Sequence, residues 1–499
     1  MSMPTARGLP VSPRQGRGCA FLSTLALLLL PGCGPPGSDD AGRSQPAPPA
    51  LDSGTEVAEA AQAPFEGSGL GVRLDGSSGF VRSEGPGDER YRAKPSVMSL
   101  LKLEPAAGAP EDFGELVRPA LPTPAAGVAR PVFEKPEHVR GIYLNMSAAG
   151  SARRSRELMQ LAAGSEINSF VIDIKDAAGR VSHRSQVPLA NEIGATARAT
   201  ISDLHQLLRE LEARRIYPIA RIVVVKDPLL GEHRPDLAIQ DTAGGVWKDG
   251  SGVVWINPWN RESWEYPLAL AQEAALAGFP EIQWDYIRLP DAPRSELARA
   301  VFPGKDERSH PQVIRAFLEH SRERLAEYGT TVTADVFGVT TSGRDVGIGQ
   351  VWGQFIDVVD VALPMVYPNH YWKGSFGFDE PNFFPYEIVN RAIRDAVRNS
   401  AMIEGAGMVR PWLQDFDLSY IAPEYGPSEV RAQIQAVYDA GVHEWILWHP
   451  GSRYTEEALR PIGADDRWEE EFEIRVGGVI VPASERHEAL EAWRVANGN

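Results

Sequence analysis

Cysteine is nearly absent: the 499 residues contain only Cys19 and Cys33, both within the first forty. That scarcity excludes a disulfide framework and a cysteine-ligated metal site. Positive charge is also in deficit, with 50 Lys and Arg against 67 Asp and Glu, a formal net charge of −17. A nucleic-acid-binding surface is disfavoured, because neutralising phosphates takes clustered cations, and a neutral or cationic partner is easier to accommodate. Long apolar runs are missing apart from CAFLSTLALLLL at 19–30, so nothing indicates a polytopic membrane protein. No glycine-rich phosphate fingerprint follows the first strand-like segment, which weakens a nucleotide-binding reading.

What is present suffices for a sizeable core: 43% of residues are hydrophobic and 8% aromatic. Arg7, Arg14 and Arg17 precede the apolar run, which is too short to span a bilayer comfortably but suits a signal-peptide core. LPGC follows at 30–33, and the whole resembles a bacterial lipoprotein signal whose terminal cysteine, here Cys33, is lipidated. An ordinary secretory signal is the alternative. Either way the chain is expected to be exported, and on the lipoprotein reading it stays at the bacterial cell envelope with the lipid at Cys33 as its membrane anchor. Residues 34–63 are rich in Pro, Ala, Ser and Gly and read as a tether. The stretch 64–135 mixes short apolar pieces with Pro and Gly and takes no clear fold.

From 136 the texture changes. Eight strand-like runs follow: RGIYLNM (140–146), FVIDIKD (170–176), YPIARIVVVKD (217–227), EIQWDYI (281–287), TVTADVFG (331–338), VVDVALPMVYP (358–368), RPWLQDFD (410–417) and EWILWHP (444–450). Helical periodicity separates them. In TISDLHQLLRELEARR, Ile201, Leu204, Leu208 and Leu211 share a face, with Thr200 and Asp203 as a variant capping box; a second helix, from His310, ends at Gly329. Strand and helix alternating over about three hundred residues is the signature of a (β/α)8 TIM barrel, expected here over 136–453, with an open doubly wound sheet as the alternative. The loops favour the barrel: connections into strands are short and several leaving them are long, as in barrels whose C-terminal mouth holds the active site. Residues 454–499 read as a small extension with a hairpin and a short terminal helix.

Acidic residues sit at or near five strand ends: Asp173, Asp227, Asp285, Asp335 and Asp415. Singly, each is more often a cap or a turn residue than a catalyst. Together, a barrel would gather them at one mouth, where like charges raise one another's pKa and separate an acid from a base. Aromatic residues accompany them: Trp247, Trp255 and Trp259 after strand three, Tyr367, Tyr371 and Trp372 around the end of strand six, Trp412 on strand seven and Trp448 on strand eight. Aromatic faces for sugar rings beside carboxylates suggest glycoside chemistry.

VRGIYLNM, FVIDIKD, QWDYIRLP, TADVFG, LPMVYP and PWLQDF resemble the ordered strand motifs of a little-characterised bacterial family of TIM-barrel glycoside hydrolases, distantly similar to α-amylase-like barrels. The resemblance spans about 139–453. It implies cleavage of O-glycosidic bonds in an oligo- or polysaccharide, with the carboxylate ending strand four, here Asp285, as nucleophile. The acid of such barrels is usually a Glu ending strand five; Asp335 is one methylene shorter, so Asp415 stays open as the substitute. Carboxylates on neighbouring strands approach the spacing of a retaining pair.

Supporting roles follow. Arg288, three residues past Asp285, holds its carboxylate, binds a substrate hydroxyl, or forms a structural ion pair. Asp173 and Lys175 share strand parity and are expected to face the mouth as one polar pair. Tyr286, Trp259, Tyr367, Trp412, Gln414, Trp448 and His449 are expected substrate contacts, although a capping role for His449 weighs equally. No cofactor or metal is expected. Two other classes stay open: a metal-dependent barrel lyase or isomerase with Lys175 as base, and a non-catalytic glycan-binding lipoprotein.

Overall fold

The computed structural model describes residues 130–464 and 472–498. The expected signal, Cys33, the expected tether and nearly all of the unassigned segment lie outside the described residues. Eight parallel strands close into a barrel: β1 (Arg140–Leu144), β2 (Ser169–Lys175), β3 (Tyr217–Val223), β4 (Glu281–Asp285), β5 (Thr331–Phe337), β6 (Val361–Met365), β7 (Trp412–Gln414) and β8 (Trp445–Trp448). Each pairs with the next in chain order, and β8 returns to β1 with Arg140 opposite Trp445. The weakest joint is β6 to β7, which meet only at Met365 and Trp412, supplemented by the two-residue piece Met408–Val409 on β6. Parallel strands covered on both faces should be apolar throughout, and β2 and β3 are buried at every position. The strands end sooner than the apolar runs do, because the last residues of those runs turn out to form the mouth.

Six helices pack outside: α1 (Ala152–Gly164), α2 (Leu204–Ala213), α3 (Glu262–Ala277), α4 (His310–Leu325), α5 (Pro385–Ser400) and α6 (Pro427–Asp439). The α2 start is simpler than the expected capping box. Asp203 alone caps it, accepting from Gln206 N at 2.8 Å, while Thr200 donates to Met146 O at 2.5 Å. Helix α4 starts at Ser309, whose N–H and hydroxyl both donate to Gln312 Oε1 at 2.8 and 3.0 Å, and its chain reverses at left-handed Gly329 (φ +65). After β5 no α-helix forms. Three 3-10 turns (Gly338–Ser342, Trp352–Gln354 and Ile356–Val358) fill that slot around fully buried Trp352, which donates to Ser400 Oγ at 3.0 Å. Gly338 is required where β5 ends, since a Cβ there would stand 2.4 Å from the Met365 carbonyl oxygen.

Arg410, fully buried at the N-terminal end of the barrel, is held by Glu281 at 2.6 Å and Glu444 at 2.8 Å. The seam between the first and last strands is sewn by the chain just after β8. Tyr454 donates its hydroxyl to Tyr143 O at 2.5 Å, Asn145 Nδ2 donates to Pro450 O at 2.8 Å, and Arg154 Nη2 donates to Ser452 O at 2.6 Å. Beyond it, the hairpin β9 (Glu473–Val476) and β10 (Val479–Pro482) and the helix α7 (Arg486–Ala496) form as read from the sequence. Arg475 pairs with Glu429 on α6 at 2.6 Å and Arg486 with Glu387 on α5 at 2.8 Å. Among the described residues, no helix is long and apolar enough to cross a membrane.

Candidate active site

The strand ends surround a cleft of about 840 Å³ lined by Tyr143, Asp173, Arg221, Asp285, Asp335, Trp412 and Trp448 among others. Its centre is Arg221, a buried cation on β3 opposite Asp173 of β2. Arg221 Nη1 donates to Asp173 Oδ1 at 2.5 Å, Nε donates to Asp285 Oδ2 at 3.0 Å, and Nη2 reaches that same oxygen. Nε also stands 3.8 Å from Asp335 Oδ2. One guanidinium thus serves three buried carboxylates and ties their charges together.

Asp335 is the carboxyl whose protonated form the site most favours. Burial, and then the neighbouring charge of Asp285, raises its pKa well above the ordinary value, against Arg221 and the hydrogen bonds it accepts. Those bonds come from Trp412 Nε1 at 2.7 Å and from Gln283 Nε2 at 2.8 and 2.9 Å. Asp173 is pushed up to about 6 by burial, opposed by Arg221 and by the Tyr143 hydroxyl that donates to it. Asp285 ends β4, and its Oδ1 accepts the backbone N–H of Tyr286 at 2.6 Å. Tyr286 is left-handed at φ +50, a conformation that costs a non-glycine residue on the order of 1–3 kcal/mol. Its carbonyl holds the turn by accepting from Val225 N at 3.2 Å. The cleft base is aromatic: Tyr143 stacks on Trp448 with centroids 4.0 Å apart, Trp412 stands edge-on at 6.4 Å, and Arg221 lies 5.5 and 5.2 Å from the Tyr143 and Trp448 rings.

Of the residues singled out in the sequence, Asp173, Asp285, Asp335, Tyr286, Arg288, Tyr367, Trp412 and Trp448 line this cleft. Others stand elsewhere. A register shift between Asp173 and Lys175 breaks the parity that would have paired them. Lys175 is fully buried, bonding Asp227 at 2.7 Å and the Val223 carbonyl at 2.7 Å, so it is not a base at the mouth. Arg288 meets Asp291 at 2.6 Å; the partner of Asp285 is Arg221. Trp259 packs against Phe302 and His310, which follow β4 in the chain. Gln414 donates to the Phe416 carbonyl at 3.0 Å, and His449 accepts from Gly451 N at 2.9 Å in a local turn.

Asp415 is buried and accepts from Thr455 N at 3.0 Å and Thr455 Oγ1 at 2.7 Å, tying the end of β7 to the chain after β8. Burial pushes it up to about 6. Asp415 and Asp173 bind a proton more tightly folded than unfolded. Their contribution to stability is full below the ordinary value of 3.8 and is lost as pH rises through about 6. Urea midpoints should therefore fall between those limits, with a shallower fall in Asp415→Asn. That variant should lose about 1 kcal/mol, since its amide cannot accept both Thr455 donors, and keep full turnover.

Sequence reasoning missed Arg221. The signal was present: it is a lone cation within the apolar run YPIARIVVV, the same anomaly that marks Asp285 within EIQWDYI.

The fold and the cleft define a parallel α/β barrel with a buried acidic centre at its mouth. Residues 141–454 match a family described as "Putative glycosyl hydrolase domain" (DUF4015), and the chain belongs to that family. A hypothetical protein from Ruminiclostridium thermocellum ATCC 27405 shares 36% identity over 39% of this chain and 97% of its own, with a TM-score of 0.36. The glycoside hydrolase domain of PgaB (BpsB) from Bordetella bronchiseptica shares 14% identity over 63% of this chain and 95% of its own, at 0.46. Alpha-L-fucosidase isoenzyme 2 from Paenibacillus thiaminolyticus shares 16% over 64% and 48%, at 0.43. No curated protein matches the chain.

Proposed function

We propose that the chain hydrolyses O-glycosidic bonds of an oligo- or polysaccharide with retention, using Asp285 as nucleophile and Asp335 as acid and then base. The observation that carries this reading is the convergence of the two carboxylates on Arg221, with burial and the charge of Asp285 both raising the pKa of Asp335. Trp284 pairs with Ala334, so the next residues, Asp285 and Asp335, are cross-strand neighbours. Strands lie about 4.8 Å apart, close to the ~5–5.5 Å separation of a retaining pair.

In the first step the Asp335 proton passes to the leaving glycosidic oxygen as an Asp285 oxygen bonds the anomeric carbon and the C–O bond breaks. Water then attacks that carbon, giving its proton to Asp335 and releasing Asp285. Trp448, Tyr143 and Trp412 offer apolar faces to the sugar. Arg221 sits among the three carboxylates where a divalent cation would otherwise be drawn, and Lys175 is turned away, which favours hydrolysis over the metal-dependent lyase. A signal-like N-terminus with LPGC at 30–33 would place this work on polysaccharide in the bacterial envelope, anchored through Cys33.

The test is incubation of the full chain with a polysaccharide panel, with products followed by mass and NMR. Release of sugars with the starting anomeric configuration is expected. Binding without turnover would leave a glycan-binding protein instead. Asp335→Ala should slow substrates with poor leaving groups by about 100-fold or more and spare the glycosylation step on good ones, because only the former need the proton. If Asp415→Ala shows that pattern instead, the acid is misassigned. Turnover in the native chain should fall as pH rises past the elevated pKa of Asp335.

A further inference from the structure

The two walls of the cleft differ in kind. Loops following β2, β3 and β4 contribute the cations Arg180, Arg198, Lys226 and Arg288, of which Arg198 is exposed to solvent, while those following β6 and β7 contribute Trp372, Leu418 and Tyr420. Asp176 meets Arg180 at 2.9 Å and Asp291 meets Arg288 at 2.6 Å, so those two cations are matched. Lys226 is not. It is only 8% exposed and reaches the cleft, yet among the described residues its ammonium makes no hydrogen bond or ion pair. Its neighbour is the Tyr286 ring, 5.5 Å from Nζ, which Arg288 approaches to 4.7 Å. A ring face satisfies a cation only in part.

The Lys226 stem is buried while its ammonium opens into the cleft with no anion beside it, although this chain carries seventeen more acidic than basic residues. We infer that Lys226, with Arg288 beside it, receives the carboxylate of an acidic sugar, so that the cleft selects a uronic-acid-containing glycan. Neutral hydroxyls would accept the lysine's hydrogen bonds and leave its charge unanswered. The sugar's apolar face would lie toward the aromatic wall while its acid meets the cationic one. Net charge favours a neutral or cationic partner for the molecule as a whole; the cleft locally asks for the opposite sign. The inference rests on the hydrolase reading for what is cut, not for what is bound.

Binding to the full chain by calorimetry tests it, with glucuronate against glucose, galacturonate against galactose, and inorganic sulfate as a bare anion. Each acid should bind at least tenfold more tightly than its parent hexose, and the preference should weaken with added salt. It should vanish in Lys226→Met and persist in Lys226→Arg. Equal binding of acid and hexose, no binding by either acid, or a preference that survives in Lys226→Met overturns the inference. Sulfate binding more tightly than both acids overturns the assignment to a carboxylate. Because the readout is binding, loss of the preference leaves hydrolysis by Asp285 and Asp335 standing. Absent turnover with the preference intact removes the reaction and keeps the subsite.

Discussion

Asp285→Asn should lower glycoside turnover by three or more tenfold steps, each about 1.4 kcal/mol of barrier, while sugar binding is retained. Asparagine keeps the size of the side chain but cannot form the covalent bond, and its amide offers donors where Arg221 and the Tyr286 N–H already donate. A second change follows from charge. Asp285 is the second-ranked cause, after burial, of the raised pKa of Asp335, so its removal lowers that pKa and moves the alkaline fall of any residual activity to lower pH. Turnover and its pH profile, measured on the variant with a substrate of good leaving group, check both. Unchanged turnover would remove Asp285 from the mechanism.

Lys175→Met should destabilise the fold by about 3–5 kcal/mol, the loss expected when one partner of a buried ion pair is deleted. Asp227, itself fully buried, would lose its cation at 2.7 Å. It cannot turn away, because its other oxygen caps a short helix by accepting from Leu230 N at 2.9 Å. Adding Asp227→Asn removes the stranded charge and keeps the cap, so the double variant should regain much of the loss. Urea unfolding of the two variants measures the difference. Turnover per folded molecule should be unaffected, since Lys175 does not line the cleft. A collapse of turnover at unchanged stability would instead return Lys175 to the chemistry as the base of a lyase.

The barrel was legible because a parallel strand covered on both faces leaves a continuous apolar run, and its loops announce which end is open. Asp285 and Asp335 were legible as charges that interrupt such runs. Lys175 was misplaced because alternation holds only while the ladder is regular, and a single register shift after Asp173 reverses its face. Arg288 was favoured over Arg221 as the partner of Asp285 because it is three residues away; the real partner is 64 residues distant and becomes a neighbour only through strand pairing. Trp259 and Gln414 shared the composition of the site, but their polar atoms are taken up by other protein groups. The missing helix after β5 had no sequence signature beyond a Gly-rich stretch, which reads equally as a long loop.

The seam has a consequence for how the molecule forms. The Tyr454 to Tyr143 bond spans 311 residues, against 64 for Arg221 to Asp285. Contacts of great sequence separation close against the largest chain entropy. The carboxylates and their arginine all come from consecutive strands, β2 to β5, whereas Trp448 and Trp412 arrive with β8 and β7. The acidic centre therefore belongs to the part of the ring that can pair locally, and the aromatic base of the cleft is complete only when the last strand meets the first. A chain stopped short of β8 would hold the reactive groups without the surface that positions a substrate over them.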